Sequence, residues 1–122
     1  IGRLPVIAEE APEAYRIVCG VLDESSDWLN GTSGEKLRCE AAEHSGTLRL
    51  ESVAPGLAAK PVLCLGGSLD IYTPPEQHCE PLRRAVERAG GTQFRSVRWP
   101  TDHFLSDYRL QTSETVLEFL KS

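Results

Sequence analysis

The sequence lacks three features that would each point to a broad class of protein. It has no surplus of basic residues, since 13 Lys and Arg stand against 18 Asp and Glu, and the net charge is -5. Because neutralising phosphates takes a basic surface, this charge argues against non-specific binding of nucleic acid. No apolar run approaches the roughly 20 residues of a transmembrane helix, and no charged-then-apolar leader precedes Pro5. We therefore expect a cytoplasmic protein with neither a nucleic-acid nor a membrane partner.

The cysteines also lack a recognisable framework. They are Cys19, Cys39, Cys64 and Cys79, and they form neither Cys-x-x-Cys pairs nor the spacing of a zinc site. Cys64 falls in an apolar run, where a free thiol behaves as a small hydrophobe, so we expect four buried or partly buried thiols. Two disulfides in a secreted protein are the alternative. His44 and His78 lie on predicted helical segments and have no second metal ligand at i+4, so we expect no metal and no cofactor.

Length and composition favour one domain. The chain has 122 residues, of which 40% are hydrophobic and 25% charged, as is ordinary for a globular domain. No repeat, low-complexity stretch or linker divides it. We expect a single domain over residues 1–122, with a helical, cap-like region over 1–56 and a core segment over 57–122. Within the first region, residues 1–8 are predicted to be extended, with helices beginning near Glu9 and Gly34.

Two strands with a helix between them organise the second region and predict an α/β fold. The first strand is predicted over residues 62–66, where Val62 to Leu65 are continuously apolar, as in a strand covered on both faces. Residues 94–99 alternate weakly, as an outer strand would. A capping box that begins at Thr73 predicts a turn, and the main helix is predicted over residues 81–89. A last helix over residues 107–120 is expected, capped by Ser106. Its buried residues are predicted to be Leu110, Val116, Leu117 and Leu120.

An acid and a histidine follow the two strands. Asp70 comes after the first strand and His103 after the second, and the segment between them has room for a right-handed crossover of roughly 30 residues. Because parallel strands present reactive groups beyond their carboxyl ends, we expect the two side chains about 2.6 to 3.2 Å apart. The alternative is that Asp70 only forms a turn and that His103 is an ordinary loop histidine.

These residues carry a resemblance to a known family. The string Pro-Val-Leu-Cys-Leu-Gly-Gly-Ser-Leu-Asp, which ends at Asp70, resembles the acid-bearing strand and turn of α/β-hydrolases. Thr-Asp-His-Phe, which contains His103, is similar to their histidine loop. The resemblance covers residues 57–122 and implies a partial α/β-hydrolase fold. The family's Gly-x-Ser-x-Gly nucleophile elbow does not occur in the sequence, so the resemblance implies that the nucleophile lies outside this chain.

The resemblance also implies roles for individual residues. Asp70 would be the orienting acid and His103 the base of a Ser-Asp-His triad. Tyr72 and Phe104 flank them and are candidates for substrate binding, with a packing role as the alternative. Asp102 adjoins His103, but neighbouring side chains on an extended segment diverge, so we expect it to be a loop or solvent group.

The implied function is the C-terminal part of a serine hydrolase. Its substrate would be a small molecule with an ester, thioester or peptide-like carbonyl, and the isolated chain is expected to be inactive. A non-catalytic module for packing or association is the alternative. Because two strands make a marginal sheet with exposed edges, we expect a homodimer or association with the missing N-terminal half.

Overall fold

The computed structural model describes residues 2–122 as a mixed α/β protein. Within these residues it contains seven α-helices and one two-stranded parallel sheet. The chain divides into two compact units, Ile1–Ser52 and Val53–Ser122. The boundary between the units lies four residues before the predicted boundary between the helical region (1–56) and the core segment (57–122). That the two form a single domain stays a prediction. Among residues 2–122, no helix is both long enough and apolar enough to cross a bilayer.

The first unit is helical. Its helices are α1 (Leu4–Glu10), α2 (Pro12–Ser26), α3 (Gly34–Glu43) and α4 (Ser45–Leu48), and a 3₁₀ turn follows at Leu50–Val53. The predicted extended conformation of residues 1–8 is wrong for residues 4–8. Pro5 stands at the start of α1, where its missing N–H removes no helical hydrogen bond. Ser33 caps α3 by accepting a hydrogen bond from Lys36 N at 3.2 Å. The hydrophobic core of this unit contains Leu4, Leu22 and Ala41.

The second unit contains the sheet. Its elements are α5 (Ala54–Leu57), β1 (Val62–Gly67), α6 (Cys79–Arg88), β2 (Phe94–Trp99), a 3₁₀ turn (Ser106–Tyr108) and α7 (Arg109–Lys121). The strands pair in parallel, with Val62 opposite Phe94 and Gly67 opposite Trp99. Both strands therefore end at the same edge of the sheet. The core cluster consists of Ala54, Leu82, Ala85 and Val86, with Leu57 and Phe94 packed against it.

Alternating residues of β2 contact helices on opposite faces of the sheet. Phe94 packs against the core cluster that includes α6, and Arg98 on the same face donates to Glu80 of α6 at 2.5 Å. Arg95 points the other way and pairs with Glu118 of α7 at 3.6 Å. The helices α6 and α7 thus cover different faces, which is the layered arrangement of an α/β unit.

Two burial predictions for this unit are wrong. Residues 62–66 are only partly buried rather than covered on both faces, because among residues 2–122 β1 has one strand neighbour, β2. In α7, Leu110, Leu117 and Leu120 are exposed at 77%, 55% and 74%. Val116 lies on the half-buried side of α7. The sheet has only two strands and is too narrow to cover the three leucines.

Candidate functional site

Backbone hydrogen bonds join the two loops that leave the sheet. After β1 ends, Ser68 N donates to Trp99 O at 2.8 Å and Leu69 N donates to Thr101 O at 3.0 Å. Asp70 N then turns back to Gly67 O at 3.2 Å. These contacts extend the parallel pairing past the strand ends, so the acid loop and the histidine loop are held side by side.

Gly67 makes this close approach sterically possible. A Cβ atom placed on Gly67 would overlap the carbonyl oxygens of Thr101 and Asp102. Thr101 itself is 1% exposed, so its backbone has little room to retreat. The last residue of β1 must therefore be glycine if the histidine loop is to lie against it.

The structure brings the predicted acid and histidine together. His103 Nδ1 lies 2.9 Å from Asp70 Oδ2, which confirms the predicted distance. The Asp70 side chain is 5% exposed, whereas the His103 side chain is 39% exposed. A buried carboxylate on one ring nitrogen and a solvent-facing imidazole are what an acid-oriented histidine base requires.

The two oxygens of Asp70 have different partners. Oδ1 accepts from the backbone N–H groups of Tyr72 at 2.8 Å and Thr73 at 2.9 Å. Oδ2 accepts from the Thr73 hydroxyl at 2.6 Å and faces His103. Asp70 is thus a turn former through one oxygen and a histidine partner through the other, so it does more than form a turn.

These bonds hold Asp70 in its ionised form. Burial alone raises the pKa of its carboxyl group, because a low-dielectric surrounding disfavours charge. The hydrogen bonds from Thr73, His103 and Tyr72 outweigh burial and leave the pKa of Asp70 below its usual value. Asp70 therefore stays a hydrogen-bond acceptor at neutral pH, with Nδ1–H of His103 as the matching donor.

Thr73 is the site residue that sequence reasoning placed in the wrong role. The sequence predicts Thr73 as the N-cap of a turn that precedes the main helix, but α6 begins only at Cys79 and has no side-chain cap. The Thr73 hydroxyl instead donates to Asp70, and its oxygen lies 3.2 Å from His103 Nδ1. The spacing Asp-x-x-Thr could have revealed this, since an aspartate commonly binds the backbone N–H groups that follow it.

Tyr72 and Phe104 both meet the His103 ring edge to face. The ring centroids of Tyr72 and His103 are 5.4 Å apart at 63°, and those of Phe104 and His103 are 5.3 Å apart at 80°. The pair flanks the imidazole, and Phe104 is 70% exposed. Their predicted part in substrate binding stays a prediction.

Asp102 serves its own loop, as predicted. Its carboxylate accepts from Phe104 N at 3.1 Å and from Ser106 through the backbone N–H at 3.2 Å and the hydroxyl at 3.0 Å. These bonds, chiefly the one from the Ser106 backbone, lower the pKa of Asp102. Because Ser106 is engaged here, it does not cap α7, and the sequence expectation of a Ser106 cap is wrong.

The arrangement is that of an acid–histidine pair with one ring nitrogen available for chemistry. Within residues 2–122, both hydrogen bonds of the imidazole use Nδ1. With Nδ1 bound to Asp70, the lone pair of Nε2 can take a proton from a hydroxyl nucleophile. In the same part of the chain, no group of three or more His, Cys, Asp or Glu side chains is placed to hold a metal ion.

Comparisons with protein families, with curated proteins and with solved structures found no match. The resemblance to α/β-hydrolases therefore stays a prediction from the residues around Asp70 and His103.

Proposed function

We propose that this chain supplies the acid and the histidine of a serine-hydrolase triad within a partial α/β-hydrolase fold. Asp70 would orient the imidazole and stabilise the imidazolium, and His103 would take the proton of a serine hydroxyl as it attacks a carbonyl carbon. The substrate would be a small molecule with an ester, thioester or peptide-like carbonyl group.

The observation that carries the proposal is the 2.9 Å contact between Asp70 Oδ2 and His103 Nδ1 at the carboxyl end of parallel strands. Open α/β sheets bind their ligands at that edge. The burial of Asp70 and the exposure of His103 support their roles as orienting acid and base. The acid must be shielded from water, whereas the base must be accessible to a substrate.

The nucleophile would come from outside residues 1–122. Ser68 is the serine nearest in sequence to Asp70, and its backbone N–H extends the strand pairing. The sequence around Ser68 lacks the second glycine of the Gly-x-Ser-x-Gly nucleophile elbow. The isolated chain should therefore hydrolyse p-nitrophenyl acetate no faster than free histidine does. Without donors for the oxyanion, the largest catalytic contribution would also be missing.

The decisive assay uses the product of the complete reading frame that contains these residues. It should hydrolyse a p-nitrophenyl ester, and a fluorophosphonate probe should label a serine outside residues 1–122. His103→Gln and Asp70→Asn should each reduce the rate by about 10³ or more. Asp102→Asn is the matched control and should leave the rate near that of the wild type. An unlabelled protein, or a His103→Gln variant as active as the wild type, would refute the proposal.

A second candidate, an association module, is favoured by the exposed stripe of α7. Leu110, Leu117 and Leu120 are all more than half exposed, and β1 has an unpaired edge among residues 2–122. We propose that a second copy, or the segment that carries the nucleophile, covers this apolar surface. Sedimentation equilibrium should show a dimer of the 13.4 kDa chain that dissociates in Leu117→Glu. A concentration-independent monomer would exclude the homodimer.

The cytoplasmic location stays a prediction.

A further inference from the structure

A pair of thiols, Cys64 and Cys79, lies on the α6 face of the sheet. Cys64 is opposite Ser96 in the register of β1 and β2, so their side chains project from the same face. Cys79 begins α6, and its Sγ lies 3.3 Å from Ser96 Oγ. The register and this contact therefore place Cys64 and Cys79 beside one another, and the Cys79 thiol is one of the groups that raise the pKa of Cys64.

We propose that Cys64 and Cys79 form a reversible intramolecular disulfide. Hydrogen peroxide is the oxidant: the thiolate of one cysteine bonds to one peroxide oxygen, the O–O bond breaks, and the other oxygen leaves as hydroxide and takes up a proton to become water. The sulfenic acid that results is attacked by the other cysteine, which loses its proton, and a second water leaves as the S–S bond forms. Two thiols are oxidised and one peroxide is reduced.

The electrostatics of Cys64 set the rate of this reaction. Burial, followed by the hydrogen bond to Cys79, raises the pKa of the Cys64 thiol to about 12. Since the thiolate is the reactive form, closure is slow at neutral pH and should accelerate about tenfold for each pH unit of increase. Reopening is slow as well, because a thiol that attacks the Cys79 sulfur must expel Cys64, a poor leaving group. Cys79 is also only 7% exposed, so an attacking thiol reaches its sulfur with difficulty.

The cross-link would enclose the acid loop. The residues between Cys64 and Cys79 include Asp70 and Thr73, so a disulfide would tie both ends of the segment that holds His103. Closing such a loop restricts the unfolded chain. The oxidised protein should therefore have a melting temperature several degrees above that of the reduced protein.

The test is oxidation of the full chain with hydrogen peroxide, followed by denaturation, blocking with N-ethylmaleimide and non-reducing mass spectrometry. A protease that cleaves after glutamate cuts at Glu76, so peptides bearing Cys64 and Cys79 stay joined only by a disulfide. The expected product is this joined pair within one chain. It should be released by dithiothreitol, unchanged in the Cys19→Ser/Cys39→Ser control and lost in Cys64→Ser.

Three results would overturn the proposal. One is oxidation confined to Cys19 or Cys39, while Cys64 and Cys79 remain open to alkylation. Another is conversion of Cys79 to a sulfinic acid with no cross-link. The third is a disulfide that joins two chains rather than Cys64 and Cys79 of one chain. The wild-type measurement needs no variant, so a substitution that fails to fold leaves the test intact.

Discussion

Replacing Asp70 by asparagine tests the hydrogen-bond network without creating a cavity. The amide oxygen can still accept from the N–H groups of Tyr72 and Thr73, which bind Oδ1 in the wild type. The amide nitrogen then faces two donors, the Thr73 hydroxyl and His103 Nδ1, which bind Oδ2 in the wild type. The substitution therefore removes the two charge-assisted bonds and keeps the turn.

The structure sets the size of the effect. A hydrogen bond to a charged group contributes about 1.5 to 3 kcal/mol. His103 is 39% exposed, so water replaces part of what it loses, and about 1 kcal/mol for each of the two bonds is appropriate. Asp70→Asn should lower the free energy of unfolding by about 2 kcal/mol and Thr73→Val, which removes one of the two, by about 1 kcal/mol.

Urea denaturation monitored by tryptophan fluorescence measures these differences in the free energy of unfolding. Trp28 belongs to the first unit and is 89% exposed, whereas Trp99 ends β2. In a Trp28→Phe background the signal reports the second unit alone. Asp102→Asn is the matched control and should have a smaller effect, because that carboxylate is exposed. An Asp70→Asn variant within about 0.5 kcal/mol of its parent, or one less affected than Asp102→Asn, would refute the network.

Two further predictions concern acid stability and the strand end. Hydrogen bonding lowers the pKa of Asp70 in the folded state, so its stabilisation is complete above the ordinary value of about 3.9 and is lost as the pH falls below that value. Thermal melts between neutral pH and about pH 2.5 should show a shallower acid decline in Asp70→Asn than in the wild type, and parallel curves would contradict this assignment. Gly67→Ala should displace the histidine loop and lower the melting temperature by several degrees, because its Cβ would overlap the carbonyls of Thr101 and Asp102; an unchanged melt with the His103 resonances in place would show that the loop has room.

The sequence was sufficient to predict the parts of the fold that depend on local pattern. The strands predicted at 62–66 and 94–99 correspond to β1 and β2. A short apolar run indicates the first strand, and weak alternation of apolar and polar residues indicates the second. The Asp70–His103 contact followed from topology, since parallel strands end at one edge.

The features that pattern could not predict depend on tertiary context. The leucines of α7 were expected inside because they are apolar, but burial depends on whether a partner surface exists, and a two-stranded sheet offers little. Thr73 fits a capping box as well as it fits the turn of Asp70, and its contacts with Asp70 and His103 decide between the two roles. The need for glycine at position 67 comes from a loop that is distant in sequence.

The most direct test of the acid–histidine pair is the tautomer of His103, measured by long-range ¹H–¹⁵N correlation NMR on the reduced chain at neutral or mildly alkaline pH. The 2.9 Å contact to Asp70 requires the proton on Nδ1, so the spectrum should show a protonated Nδ1 and an unprotonated Nε2, with a low-field Nδ1 proton that disappears in Asp70→Asn and persists in Asp102→Asn. A proton on Nε2, or the same tautomer mixture in Asp70→Asn as in the wild type, would contradict the account.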